Sequence, residues 1–196
     1  MKAKLYDVNS CEEALELASI EFGVEKEELD ASKVEGGIEV ITIVDGVDKA
    51  KAYLQNILDT FGAKGYIEKM TRGSTVEFNV DVKEMNGVFI GKNSKHLLAI
   101  QTLLNIIANK YYSEEEQKTI LLDVGRYRKH REATLEKMAV DFAKQVIKTK
   151  QVIKLDNLNA YERKIIHDKL ATWQQVTTHS EGEEPNRYLF IEYKAK

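Results

Sequence analysis

Polar and apolar residues follow one another along this chain with two periods, one typical of helices and one typical of strands. Where they alternate at every second position we predict short strands, and these cover residues 2–7, 31–34, 38–44, 66–70, 74–82, 118–124, 151–155, 173–179 and 188–193. Where apolar residues recur every three or four positions we predict helices, and these cover residues 11–22, 47–61, 97–112, 126–149 and 160–171. The two kinds of element are interleaved, which predicts an α/β (α+β) fold.

Turn signals divide these elements into three small domains. Residues 1–44 have the order of a βαββ unit. Residues 45–125 carry a helix, two strands joined by a hairpin turn, a loop, a helix and a strand, which should form a small α/β sandwich. Residues 126–196 hold the longest helix, a second helix and three strands.

The helix ends and faces can also be predicted. Asn9 or Ser10 should cap the first helix, and Gly23 should close it, because these residue types satisfy the free backbone groups at helix ends. In the second helix, Tyr53 and Phe61 fall on the same face as the small and aliphatic residues. We therefore expect both aromatic side chains to be buried.

A basic loop before the third predicted helix carries the first candidate chemistry. Residues 91–94 lie at the N-terminus of this helix, where free N–H groups and the helix dipole favour an anion. Gly91 lets another backbone approach, and Lys92 and Lys95 add positive charge. The pattern suits a phosphate, and the alternative is a plain surface turn with a serine cap. The apolar stripe of the helix that follows is Leu97, Ile100, Leu103, Leu104 and Ile107.

Composition narrows the class of protein without identifying it. Hydrophobic residues make up 43% and charged residues 31% of the 196 positions, as in ordinary globular proteins. We find no apolar run as long as a membrane span and no apolar core of a signal peptide near the N-terminus. Because Cys11 is the single cysteine, an intrachain disulfide and a CxxC metal site are excluded. We expect a cytoplasmic protein with a reduced thiol.

The net charge of −3 conceals an uneven distribution along the chain. Residues 126–196 hold 15 Lys/Arg against 10 Asp/Glu, whereas residues 1–125 hold 14 against 22. The basic part begins with a cluster of cations over residues 126–131. A basic C-terminal part beside a basic loop is compatible with nucleic-acid binding.

A second candidate site lies on the last predicted helix. Arg163 and His167 are four residues apart, so they share one face of the helix and form a compact pair of donors suited to phosphate. The alternative is an exposed arginine beside a histidine that hydrogen-bonds within its own loop.

Two stretches resemble known nucleic-acid-binding modules. Residues 87–94, Gly-Val-Phe-Ile-Gly-Lys-Asn-Ser, resemble the GxxG loop of a KH domain in their order of flanking elements. Residues 161–167, followed by 180–187, resemble the small domain named for an Arg-x-x-x-His signature, here called the Arg-x-x-x-His domain. In this order the two resemble the bacterial Jag family, also called KhpB, EloR or SpoIIIJ-associated protein, over about residues 45–196. Residues 1–44 resemble the Jag-N domain of that family in size and position.

This resemblance implies a protein that binds single-stranded RNA or single-stranded DNA and is not an enzyme. It implies that the GxxG loop clamps the nucleic-acid backbone, that unstacked bases lie in an adjoining apolar groove, and that the Arg-x-x-x-His pair contacts phosphate. The four histidines are scattered, and no paired-carboxylate or nucleophile motif is present. No metal or organic cofactor is implied. The residues that the resemblance and the basic pattern assign to nucleic-acid binding are Ile90, Gly91, Lys92, Asn93, Ser94, Lys95, Arg126, Arg128, Arg131, Arg163 and His167.

The resemblance also implies partners and a point of departure. Jag proteins are linked to cell elongation and division, pair with a small single-KH protein, and in some species are encoded beside a YidC-type membrane insertase. A scaffold that docks a membrane-protein partner through residues 1–44 is the rival function, and a homo-oligomer stays open. Ser94 replaces the second glycine of the loop, so its Cβ could hinder the nucleic-acid backbone. We therefore expect Ser94→Gly to tighten binding, at a small cost if Ser94 caps the helix.

Overall fold

We analysed the protein as a computed structural model, which describes residues 1–194; residues 195–196, at the end of the third predicted domain, lie outside the described residues. The strands are β1 (Ala3–Tyr6), β2 (Leu29–Val34), β3 (Gly37–Thr42), β4 (Ile67–Arg72), β5 (Thr75–Val80), β6 (Thr119–Val124), β7 (Ile153–Leu155), β8 (Val176–Glu181) and β9 (Tyr188–Tyr193). The helices are α1 (Cys11–Phe22), α2 (Gly46–Thr60), α3 (Asn86–Ile90), α4 (Lys95–Asn109), α5 (Tyr127–Thr149) and α6 (Ala160–Leu170). The strands form three small sheets, which confirms the predicted α+β class. Among residues 1–194, none of these helices is both long and apolar enough to cross a membrane.

The chain divides into two compact units, Met1–Gly125 and Arg126–Lys196. The first unit contains two of the three sheets, one before α2 and one after it. The boundary expected near residue 45 therefore lies inside a compact unit, and the division into three domains stays a prediction.

The first sheet has the antiparallel order β1–β3–β2 and packs one face on α1. Ser10 caps α1 by accepting a hydrogen bond from the Glu12 N–H. Gly23 ends the helix with φ of 68°. Both ends were predicted, because Ser at the start and Gly at the end satisfy backbone groups that the helix leaves free.

Tyr111, just after α4, ties the first sheet to the rest of the unit. Its carbonyl accepts from the Lys2 N–H at 2.9 Å and from Thr42 Oγ1 at 3.0 Å. Its hydroxyl donates to Glu28 Oε2 at 2.8 Å, and Lys49 forms an ion pair with the same carboxylate. The sequence pattern did not predict this junction, because its members are far apart along the chain.

Glu28 should make the stability of the first unit depend on pH. Burial alone would raise the pKa of Glu28, but hydrogen bonds from Lys49, Tyr111 and the Glu25 N–H outweigh it and hold the pKa below its usual value. A carboxyl whose pKa is lower in the folded state stabilises the fold above its unfolded pKa and loses this contribution as the pH falls through the folded pKa. Urea unfolding at pH 7 and below pH 4 should therefore show that the native chain loses free energy of unfolding as the pH falls. This loss should be smaller in Glu28→Gln. An equal loss in both would contradict this role.

The second sheet has the order β4–β5–β6, with β4 antiparallel and β6 parallel to β5. Helices α2 and α4 pack against each other, and α4 packs on β6. The packing is close at Gly46, where a Cβ would overlap the Ala108 carbonyl oxygen. The expected burial of Tyr53 and Phe61 is wrong, since they are 39% and 55% exposed. The helix buries a narrower face, and the aromatic residues lie at its margins.

Three amide side chains join α4 to the edge of β6. Asn105 and Asn109 lie one helical turn apart. The Asn105 amide accepts from the Ile120 N–H and donates to the Ile120 carbonyl, both at 2.8 Å. The Asn109 amide makes the same two hydrogen bonds with Lys118, also at 2.8 Å. Gln101 accepts from the Leu122 N–H at 3.0 Å. These amides replace a neighbouring strand, because they satisfy the backbone groups that an open sheet edge would expose. They also fix α4, and hence the loop before it, on the sheet.

The second unit packs α5 and α6 on one face of an antiparallel sheet of order β7–β9–β8. The inner face of α5 includes Leu135, Ala139 and Val146, which are fully buried. From β9, Leu189 and Ile191 complete this core. Because strand residues alternate between faces, the neighbours of these two residues point to the other side of the sheet.

Candidate nucleic-acid interface

The basic loop joins two helices. Helix α3 comes directly before Gly91, the residues Lys92–Ser94 form a 3-10 turn, and α4 follows. The sequence predicted the loop and the second helix but not α3, because a segment of five residues is too short to show a helical period. The loop is therefore fixed at both ends by a helix.

Gly91 is required by the way the loop closes. Its φ of 71° is unfavourable for residues with a side chain, and a Cβ would lie 2.5 Å from the His96 ring. The His96 ring reaches back over the loop, with Nδ1 2.7 Å from the Val88 carbonyl oxygen. The first glycine of the motif thus makes room for a histidine contact that links the two helices.

Ser94 does not have the two roles expected of it. It adopts φ of 56° and ψ of 19°, and its side chain makes no capping hydrogen bond to α4, so it is not the serine cap of the alternative interpretation. The residue is only 5% exposed, and Oγ donates to the Asn93 carbonyl at 2.7 Å. Its Cβ is therefore turned into the protein, which removes the basis for the predicted steric hindrance.

The exposed part of the loop is basic. Lys92 and Lys95 are exposed, Asn93 is half-buried with a left-handed φ of 54°, and Ile90 is half-buried at the end of α3. One member of the predicted α4 stripe, Leu103, is 43% exposed. Two flexible ammonium groups at a helix N-terminus can bind the phosphates of an extended chain.

The start of α5 is basic where the helix dipole favours acids. Its first turn carries half-buried Arg128 and no acidic residue, and exposed Arg126 precedes it with φ of 56°. Cations at this end of a helix cost stability unless an anion compensates them. One such anion is internal, because Arg131 Nε donates to Glu162 Oε1 at 2.6 Å. Glu162 is buried and also caps α6 by accepting from the Asn159 N–H.

Arg163 lies inside the protein. It is 6% exposed, so the alternative of an exposed arginine is wrong. Its Nη1 donates to the Leu158 carbonyl at 2.7 Å, and Nη2 donates to Glu184 Oε1 at 2.5 Å. Glu184 belongs to the loop between β8 and β9, and its side chain is 59% exposed. The Arg163 guanidinium is therefore fixed by the Leu158 carbonyl on one side and by the exposed Glu184 carboxylate on the other.

His167 is exposed on the next turn of α6. Its Nδ1 is hydrogen-bonded to Thr178 Oγ1, so its partner lies on strand β8 and not in its own loop. A cavity of about 310 Å³ lies beside it, lined in part by Trp173 and Lys194. The partners of Arg163 and His167 therefore lie on β8 or in the loop that follows it. Arg163 is paired with the Glu184 carboxylate, and His167 is hydrogen-bonded to the Thr178 hydroxyl.

The predicted residues form local groups. Ile90 to Lys95 are consecutive in the first unit, and in the second unit the Arg131–Glu162 ion pair joins the start of α5 to the helix that carries Arg163. Glu162 and Glu184 were not predicted from the sequence as the partners of Arg131 and Arg163. Asn159 followed three residues later by Glu162 is a capping-box pattern that could have revealed the first.

Comparison with known protein families gives one match within the second unit. The model of the Arg-x-x-x-His domain family matches residues 133–193. The match includes Arg163, His167 and Glu184, and it begins after Arg131. It covers the greater part of the second unit.

Several relatives carry the name RNA-binding protein KhpB. The one from Bacillus subtilis (strain 168) is 31% identical over 93% of this chain and 94% of its own length. The one from Clostridium symbiosum is 36% identical over 75% of this chain and 66% of its length. The one from Streptococcus pneumoniae serotype 2 is 29% identical over 92% of this chain, which spans 56% of that protein.

Proposed function

The chain belongs to the KhpB, or Jag, family of RNA-binding proteins, and from this premise we propose that it binds single-stranded RNA. The observation that carries the proposal is the similarity to a protein of that name over 93% of the chain. We further propose that it acts without catalysis, in the cytoplasm, as a post-transcriptional regulator linked to cell elongation and division.

The accessible basic groups support a path for the RNA phosphates. We propose that residues 45–125 act as a KH domain whose loop residues Lys92 and Asn93 clamp the backbone, with unstacked bases beside Ile90. Lys95 would add a further phosphate contact. In the second unit, Arg126 and His167 are exposed and open to a phosphate as they stand, and Arg163 becomes available once Glu184 has moved.

The intact chain should prefer single strands. Fluorescence anisotropy with a 20-nucleotide RNA, the DNA of the same sequence and the corresponding duplex RNA should give the tightest binding for single-stranded RNA. The affinity should fall as salt rises, with a slope of about −0.7 per phosphate contact on a log–log plot. Equal binding of duplex and single strand, or no binding at low salt, would overturn the proposed function.

Removing the carboxylate that holds Arg163 should strengthen RNA binding. In Glu184→Gln the guanidinium no longer has a charged internal partner, so a phosphate can take that place. We expect the affinity to rise severalfold and the salt slope to steepen by about 0.7. The matched control is Glu183→Gln, which removes the same charge from the neighbouring position. Unchanged affinity with a lower unfolding midpoint would mean that the pair only anchors the loop.

Replacing Ser94 should have little effect on binding. Because its side chain is buried and bonded within the loop, Ser94→Gly should leave RNA affinity within about twofold of the native value. Glycine relieves the left-handed φ but adds freedom to the unfolded chain, so the change in unfolding free energy should stay below about 1 kcal/mol. Parallel anisotropy and urea titrations of the two proteins test this. A large gain in affinity would restore the original hindrance hypothesis.

A docking role for residues 1–44 is the second candidate function. This segment holds 4 Lys/Arg against 11 Asp/Glu, so it repels RNA. Leu17 and Ile20, one turn apart on α1, are 44% and 81% exposed. We propose that this face docks a protein partner, of which a YidC-type membrane protein and a small single-KH protein are the candidates. Two-hybrid signals with these partners should be lost in Leu17→Asp/Ile20→Asp, while RNA affinity is kept.

A further inference from the structure

The outer face of the β7–β9–β8 sheet carries side chains that the core does not use. Leu189 and Ile191 of β9 point inward, so Tyr188 and Phe190 point outward. The register places Lys154 of β7 and His179 of β8 directly on either side of Phe190. We call these four residues, Lys154, His179, Tyr188 and Phe190, the sheet platform.

Two rings of the sheet platform already form a stack. The His179 and Phe190 rings are nearly parallel, at 10°, with centroids 5.3 Å apart. The histidine is held in its ring plane, because Nε2 lies 3.1 Å from Glu181 Oε1 and Nδ1 lies 4.0 Å from Glu192 Oε2. Its side chain is 39% exposed. Because Phe190 covers one face of the ring, a base could stack only on the opposite face.

A cation accompanies the aromatic rings. Lys154 Nζ lies 3.6 Å from the Tyr188 ring centroid and 6.0 Å from that of Phe190, within range of a cation–π interaction. Arg187, directly before β9, is exposed. A flexible lysine over a ring can move aside to pair with an anion while the ring accepts another planar group.

Charge is divided across the platform. Lys154 lies on the β7 side, whereas the carboxylates of Glu181 and Glu192 both lie beside His179 of β8. A ligand with an anionic backbone and planar, uncharged side groups can bind this surface in one orientation. Its backbone then lies along β7, and its planar groups lie over the aromatic rings. Unpaired nucleotides have this chemistry, and every base has a π-face that can stack on an aromatic side chain.

We propose that the sheet platform is an additional RNA-binding surface, on which unpaired bases stack against Phe190 and His179 while Lys154 binds the adjoining phosphate. This proposal rests on the proposed function and adds a binding surface to it. The surface shares no residue with the loop at 91–94 or with Arg163 and His167. It is therefore separable from them by substitution.

The test compares the binding of an RNA with the binding of an oligomer that has the same backbone but no bases. Phe190→Leu keeps an apolar side chain in β9 but removes the ring. In the full chain it should weaken binding of a 20-nucleotide oligouridine by about fivefold or more, since stacking of one base on a side chain contributes at least about 1 kcal/mol. Binding of an abasic oligomer of the same length should not change. The matched control is Tyr161→Leu, which removes another exposed aromatic ring, on α6.

Two further variants at other positions of the platform allow the test to be made even if Phe190→Leu does not fold. His179→Thr removes the second ring from edge strand β8, and it should also weaken binding of oligouridine but not of the abasic oligomer. Lys154→Gln should weaken both and flatten the salt slope by about 0.7. If the native chain binds oligouridine and all three variants bind it equally well, the platform is overturned while the proposed function stands. If the native chain binds no RNA, both fail.

Discussion

Lys92→Asp combined with Asn93→Asp should weaken binding of single-stranded RNA by the intact chain about tenfold or more. Lys92 is exposed and Asn93 is half-buried in the turn between α3 and α4, and the change replaces a cation and an amide by two carboxylates. A hydrogen bond to a charged group contributes about 1.5–3 kcal/mol, which corresponds to about tenfold or more in affinity. The salt slope should flatten by about 0.7 for each phosphate that the loop no longer binds. Anisotropy titrations at several salt concentrations measure both quantities.

The loop variant should remain folded. Lys92 is exposed, and aspartate is among the residues that tolerate the left-handed conformation of Asn93. A control with the same change in charge is Lys64→Asp combined with Gln55→Asp, since Lys64 is exposed and Gln55 is half-buried, as Lys92 and Asn93 are. If loop variant and control bind RNA equally, the effect is one of overall charge, and the loop is not a clamp.

The intact chain should bind a long single-stranded RNA about a hundredfold more tightly than either of its two compact units alone. A fragment of residues 1–125 keeps the basic loop, and a fragment of residues 126–196 keeps α5, α6 and the third sheet. Two weak sites on one chain engage the same strand at high effective concentration, which can raise affinity by a factor of about 10²–10⁴ without any new contact. Anisotropy of the three proteins with a 30-nucleotide RNA measures the gain.

A short RNA provides the control for this linkage. An oligomer of about four nucleotides, the length that a GxxG loop holds, can fill one site only, so the intact chain should bind it no better than the stronger fragment. Circular dichroism must first show that both fragments are folded. If one fragment binds the long RNA as tightly as the whole chain, the other unit contributes no RNA contact and is better explained as a protein-docking surface.

Local chemistry was enough to predict most of the elements. Helix α1 begins after Ser10 and ends at Gly23, as predicted, and the strand predicted over residues 188–193 is β9. The position of the basic loop before α4 was also predicted correctly. These features depend on backbone groups and side-chain period within a few residues, so the order of residue types along the chain contains the information needed.

The state of each functional side chain depended on contacts between distant residues. Arg163 is expected on the surface from its neighbours in sequence, yet it is buried because Leu158 and Glu184 fold around it. A serine directly before a helix can serve as its cap, yet the hydroxyl of Ser94 donates to the Asn93 carbonyl in a left-handed turn. Sequence spacing gives the face of a helix but not which partner reaches it from elsewhere.

Residue order and composition were sufficient to establish the class of fold, the uneven charge and the resemblance to an RNA-binding family. Folding in three dimensions was needed to establish which of the cations are exposed and which are paired with carboxylates of the same chain. It was also needed to bring Lys154, Phe190 and His179 into one row, since they come from three strands separated along the chain. Pairing of strands sets such rows, and a shift of register by one residue would turn Phe190 into the core.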